Sequence, residues 1–190
     1  MTFETVLSIF LGIGLAASVG FRIFLPLFAL SLAAYFNVWE LNENWEWVGS
    51  MAAVITFGVA TIVEIFAYFI PWLDNLLDSF AIPMAALAGT AVMVSTASNL
   101  DPVITWTLAI IAGGGTATAI KGASATGRLA STATTGGTAN PVIGLVETGT
   151  AAVVTTASIF APILAVFLVL LVMIFIYRLY RKIGPRKKSH

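Results

Sequence analysis

The sequence predicts an all-α integral membrane protein of about six membrane elements, arranged as a 3+3 inverted repeat with broken or re-entrant helices. Three observations predict it. Hydrophobic residues make up 59% of the chain and charged residues only 9%, and the mean hydropathy is +0.98, far from the charged surface of a soluble domain. A spanning helix needs about 20 apolar residues, so the chain admits about six or seven crossings at most and leaves almost nothing outside the bilayer. The intramembrane charges and the glycine breaks also fall into two similar sets. Residues 1–190 are therefore read as a single membrane domain, with repeat A at about 3–98, repeat B at about 102–178 and a basic tail at 178–190.

The first element runs from Thr2 to Phe36 and is too long for one straight crossing. It holds Gly12, Gly14 and Gly20, then Arg22 and Pro26, and reads as broken or kinked, as two half-helices. A loop from Asn37 to Trp47 follows, with Glu40, Glu43 and Glu46 among Trp39, Trp45 and Trp47 and no basic residue. Tryptophans in such a place mark a membrane–water interface, and the missing Lys and Arg point to the extracytoplasmic side. The second element is Val48 to Pro71, interrupted by Glu64. A short amphipathic stretch, Trp72 to Phe80, carries Asp74, Asn75 and Asp78, read as interfacial or capping residues. The third element is Ile82 to Ser98.

Element four starts after Asp101-Pro102 and reads as helical to Ala112. It then dissolves into Gly113–Gly115 and a run of Gly, Ala, Ser and Thr that reaches Asn140-Pro141, interrupted by Lys121 and Arg128. Small residues of this kind let membrane helices approach closely, and Ser131, Thr132, Thr134 and Thr135 are also available to line a polar path. Element five lies between Ser131 and Thr155 and carries Glu147; element six runs from Ala161 to Tyr177. Arg178, Arg181, Lys182, Arg186, Lys187 and Lys188 crowd the tail, which the positive-inside rule places in the cytoplasm. Counting back from there puts the acidic tryptophan loop outside. The N-terminus lacks the basic region of a cleavable signal peptide.

Three local matches suggest the repeat: Leu11–Ala16 with Ala112–Ala117, Ile62-Val63-Glu64 with Leu145-Val146-Glu147, and Ala81-Ile82-Pro83 with Phe160-Ala161-Pro162. Three elements per half would insert the halves with opposite orientation, and interrupted helices at corresponding positions point to a transporter-type site. Broken backbone at membrane depth is tolerated only inside protein or beside water. Elements one and four are thus expected to line the centre, between Gly14 and Gly115.

Charges inside a bilayer are costly and mark function by default. The expected solute- or ion-binding residues are Gly14, Arg22, Glu64, Gly115, Lys121, Arg128, Asn140 and Glu147, with Asp74 and Asn75 interfacial. Inversion predicts pairs across the repeats, Arg22 with Glu147 and Lys121 or Arg128 with Glu64. The bland counterpart is that such pairs only neutralise one another and lock the bundle. Three basic residues near the breaks, together with the free N–H groups of half-helix N-termini, favour an anionic solute. The Gly-x-Gly strings lie in apolar segments without a strand–helix context, so no nucleotide site is read from them. No cysteine and a single histidine, His190, exclude thiolate chemistry and a His-based metal or triad site.

These residues resemble an uncharacterised bacterial and plastid membrane family, domain of unknown function 4126. The likeness lies in Gly14–Arg22 with Leu25-Pro26, in Glu64 with Ile70-Pro71 and Asp74-Asn75, and in Lys121 to Arg128, Gly137, Asn140-Pro141 and Glu147. It covers most of the chain. The resemblance implies a multi-pass protein of the bacterial inner membrane and supplies no activity. The family usually has an acidic pair where this chain has Glu147-Thr148, which weakens a two-carboxylate mechanism at that position.

The leading functional expectation is a small transporter or channel for a small, preferably anionic, solute. It is not read as an enzyme; no catalytic residue, metal or cofactor is assigned. The expected partners are membrane lipids and a small solute or ion, with a second copy of the chain as the candidate protein partner and no nucleic acid. The competing readings are a lipid-handling protein or enzyme using intramembrane carboxylates, and a structural subunit of a membrane complex.

Overall fold

The structure is a computed structural model that describes residues 2–67, 70–97 and 100–183; the side chains at 71–75, 179, 180, 182 and 183 lie outside it. Its regular elements are helical throughout among the described residues. The helices are α1 (Phe3–Phe21), α2 (Phe24–Tyr35), α3 (Met51–Ala67), α4 (Pro71–Thr96), α5 (Pro102–Leu108), α6 (Gly115–Thr135), α7 (Asn140–Phe160) and α8 (Pro162–Ile183). A 3-10 turn, Glu43–Gly49, precedes α3 at an angle of 64°. A π-helical segment, Ala109–Gly114, joins α5 to α6 without a break.

Four helical stretches are long and apolar enough to cross a membrane: Phe3–Phe21, Leu76–Thr96, Pro102–Thr135 and Asn140–Phe160. The bent pair ending in α3 makes a fifth. The outward faces are apolar, as a lipid solvent requires: Ile55, Val59, Ile62 and Phe66 on α3 and Phe167, Leu171 and Phe175 on α8 are all exposed.

The first element does break, but not at its glycines. Gly12, Gly14 and Gly20 lie inside a continuous α1 and act as contact points. A Cβ built on Gly20 would fall 2.6 Å from Ile120 Cβ and 2.9 Å from the Ala117 carbonyl oxygen, so α1 and α6 meet there at backbone distance. The chain instead turns at Arg22, which is extended (φ −136°, ψ 123°). Pro26 sits in the first turn of α2, where a missing N–H costs nothing.

Contacts fix the helix directions. Ala34 lies beside Gly49, Phe28 beside Gly58 and Ile23 beside Glu64, so α3 runs back along α2. Along α7, Gly14 meets Ser158, Ser18 meets Ala151 and Thr155, and Arg22 meets Gly144 and Thr148, so α1 runs antiparallel to it. Glu4, Leu7 and Ser8 face the same concavity as Ala34, Tyr35 and the 37–46 loop. Helices α1 and α2 are thus a hairpin: α1 descends from the tryptophan loop, and α2 returns to it. At 12 residues α2 spans roughly 18 Å, well short of a bilayer core.

This geometry corrects the sequence reading of the repeat. Helix α1 runs the same way as the Pro102–Thr135 helix: Ile9 and Ile13 pack by Ala109, and Gly20 meets Ile120. The match of Leu11–Ala16 with Ala112–Ala117 therefore joins parallel segments and cannot belong to an inverted pair. Glu64 and Glu147 do lie on oppositely directed helices, because α3 descends from the tryptophan loop and α7 rises towards it.

The glycine-rich run also stays helical. No water solvates the backbone at membrane depth, and the hydroxyls bond back to their own helix, Thr126 to Gly122 O (2.8 Å) and Thr134 to Ala130 O (2.8 Å). The helix stops at Gly136 and Gly137, with φ of +64° and +85°, conformations that suit glycine. Helix α7 then opens on Asn140, with Pro141 in its first turn, inside the Ser131–Thr155 window read from the sequence, and runs past Thr155 to Phe160.

Candidate functional site

At the hairpin vertex the chain leaves the N-terminus of α2 without a side-chain cap of its own. Glu64, from α3, supplies one. Its Oε1 accepts from Ile23 N at 2.8 Å and its Oε2 from Phe24 N at 2.9 Å. A carboxylate on a helix N-terminus meets both orphan N–H groups and the positive end of the dipole.

The other charges converge on the same level. Arg22 donates from Nε to Thr148 Oγ1 (2.9 Å) and from Nη2 to Gly144 O (2.7 Å). Lys121 donates from Nζ to Phe21 O at 3.3 Å, the carbonyl just before the turn. Arg128 and Glu147 form an ion pair between α6 and α7, with Arg128 Nε 3.3 Å from Glu147 Oε1 and Ser124 Oγ donating to the same carboxylate. Gly144 makes room for both guanidinium groups: a Cβ there would lie 3.3 Å from Arg22 Nη2 and 3.6 Å from Arg128 Nη2. Arg22, Glu64, Lys121, Arg128 and Glu147 are each 5% exposed or less.

Asp78 joins them as a sixth charge, although the sequence alone presents it as a cap or solvated face beside Asp74 and Asn75. In α4 it shares a helical face with the buried Ala81 and Ala85. That face packs on α6, where Ala117, Lys121 and Arg128 share a face of their own. Arg128, Lys121, Glu147 and Arg22 all lie within electrostatic reach of Asp78. The spacing Asp78–Ala81–Ala85 was the available signal.

The pairs differ from those expected. Inversion would have put Arg22 with Glu147 and a basic residue of α6 with Glu64; instead Arg128 takes Glu147, and Glu64 takes backbone N–H groups. The physical reason is the hairpin: it brings Arg22, Glu64 and Glu147 to one level, where the N–H groups at the start of α2 take Glu64 and Arg128 takes Glu147. Three expected residues lie elsewhere. Gly14 is a packing contact against Ser158 and Ala165, and Gly115 has only the Ile110 carbonyl near a built Cβ, at 4.0 Å. Asn140 ties the α6–α7 turn through Thr132 Oγ1 at 3.1 Å. The side chains of Asp74 and Asn75, and the tail from 184 with Arg186, Lys187, Lys188 and His190, lie outside the described residues.

Hydroxyl groups also line the contact between α1 and α7. Ser18 Oγ lies 2.6 Å from Thr155 Oγ1 and donates to Ala151 O at 2.9 Å, and Ser158 follows one turn further up α7. At the tryptophan end an open concavity of about 1300 Å³ is lined by Glu4, Glu40, Glu43 and Glu46 with Trp39 and Asn42. Trp39 is anchored there by its indole N–H to Ile159 O at 2.9 Å. Among the described residues no group of His, Cys, Asp and Glu is placed to hold a metal.

Residues 9–182 match the family described as Domain of unknown function (DUF4126). The chain belongs to that family. No curated protein and no solved structure matches it. With the apolar helices above, this DUF4126 protein is a multi-pass membrane protein of an uncharacterised family.

Proposed function

We propose that the protein is a small carrier or channel for a small anionic solute, bound at the vertex of the α1–α2 hairpin. The observation that carries the reading is the gathering of six ionisable side chains from α1, α3, α4, α6 and α7 around a break in the chain. Intramembrane charges are rare and line solute or proton paths, and transporters place their sites at interrupted helices. Glu64 sits where an anion would bind, on the N–H groups of α2. It acts as a built-in anion that a solute must displace or join. Lys121, a buried ammonium with a single hydrogen bond for its three donors, favours a negative solute over a cation.

The bland alternative has support of its own, because Glu147 is fully satisfied by Arg128 and Ser124. That pair is the frame of the site in this reading. The inverted relation is restricted to α3 with α7 and α4 with α8. The tail is assigned to the cytoplasm of a bacterial inner membrane, with the tryptophan loop outside. Membrane lipids cover the apolar rim, and a second copy of the chain is the candidate protein partner.

Proteoliposomes loaded with radiolabelled phosphate or pyruvate test the proposal. Exchange well above that of protein-free vesicles, lost in Lys121→Met, is expected. Vesicles that exchange no anion would refute it.

A further inference from the structure

Among the described residues six ionisable side chains meet at the vertex, three basic and three acidic, so their formal charges balance. They are not equally engaged. Glu64, Arg22, Arg128 and Glu147 each hold two or more hydrogen bonds to another helix. Lys121, 2% exposed, has three donors and a single 3.3 Å bond to Phe21 O. Asp78 has no hydrogen bond or ion pair among the described residues, although it shares the α4–α6 interface with Lys121. It is also partly exposed, where the five others are buried.

We propose that Lys121 and Asp78 are the working pair of this site, Lys121 contacting a small monovalent oxyanion and Asp78 taking up the proton that enters with it. This rests on the carrier reading above and deepens it. A neutral buried cluster cannot accept one more negative charge without compensation, because an uncompensated ion at membrane depth is costly. Protonating one carboxylate provides the compensation, one proton for one anion. Glu64 and Glu147 are poor choices, since protonation would break bonds to the N–H groups of Ile23 and Phe24 or to Arg128. Asp78 loses none.

The groups that act on Asp78 are Lys121 and Arg128 from α6, Arg22 from α1 and Glu147 from α7; α5 and the π-helical segment contribute no charge. An anion on Lys121 offsets part of the positive field that Arg128, Lys121 and Arg22 exert on Asp78. Anion binding and proton binding therefore favour each other, which is the requirement for coupling.

The experiment uses the full chain in two preparations. In lightly buffered detergent, adding pyruvate to the wild type should take up about one proton per bound pyruvate, and Asp78→Asn should bind pyruvate with no proton uptake. In proteoliposomes a pH gradient should drive pyruvate accumulation towards about tenfold per pH unit. Asp78→Asn should lose this accumulation while keeping equilibrium exchange; Lys121→Met should lose both. Gel filtration and tryptophan fluorescence check that each variant folds. Wild-type pyruvate exchange with no proton uptake, or gradient-driven accumulation kept in Asp78→Asn, would overturn the coupling and leave the carrier reading standing. Wild type that neither binds nor moves pyruvate or phosphate sinks both.

Discussion

Glu64 is the side chain whose removal should damage the fold most specifically, because it holds the hairpin vertex by two backbone N–H groups. Replacing it with alanine leaves Ile23 N and Phe24 N without acceptors in a site where Glu64 itself is only 5% exposed. Each buried donor so stranded costs about 1–3 kcal/mol, so Glu64→Ala should cost about 2–6 kcal/mol. Glu64→Gln keeps one acceptor oxygen and turns an amide N–H₂ towards the other donor, so about half of that loss is expected. Taking roughly 2–4 °C per kcal/mol for a chain of this size, the alanine melt should fall by roughly 5–20 °C and the glutamine melt by less. Thermal unfolding in detergent, followed by tryptophan fluorescence and by the monodisperse fraction on gel filtration, reads the effect. A stability order in which glutamine is worse than alanine, or an alanine variant that melts with the wild type, would show that α2 does not depend on this carboxylate.

Other expectations follow from the same contacts. Arg128→Met should cost about 3–5 kcal/mol because it strands Glu147 in the bundle; the double variant with Glu147→Met should recover much of that loss in a melting cycle, and strict additivity would argue against the pair. Gly20→Ala, which brings a methyl group against Ile120 and the Ala117 carbonyl, should cost about 1–3 kcal/mol, whereas Gly127→Ala, with open space around it, should melt like the wild type. Trp39→Phe keeps the ring and loses the bond to Ile159 O, so a loss of about 0.5–1.5 kcal/mol is expected, together with a change in the quenching of loop fluorescence.

The membrane class and most span positions were legible in the sequence because hydropathy and breakers are local signals. The ends of α7 and α8, set by Pro141 and Pro162, are of that kind. The buried charges Arg22, Glu64, Lys121, Arg128 and Glu147 were equally legible, since an ionised residue in an apolar stretch stands out whatever the fold. Their partners were not. Pairing depends on whether the first element kinks or reverses, and a glycine in a membrane helix marks either a break or a close contact. Gly12, Gly14 and Gly20 are contacts, while the reversal falls at Arg22-Ile23, where no glycine signals it. Asp78 was obscured by its neighbours: next to Asp74 and Asn75 it reads as a solvated turn, and only its spacing to Ala81 and Ala85 places it on the inner face.

The central claim is that the hairpin vertex is a site open to aqueous solute and not a dry ionic lock. The chain contains no cysteine, so single cysteines at Ser124 and Thr148 report on it without background. In oriented vesicles both should react with a small, membrane-impermeant thiol reagent, and added phosphate or pyruvate should slow the reaction. Cysteines at these positions that stay unreactive in a folded, monodisperse protein, while one placed on the exposed tryptophan loop reacts, would contradict the account.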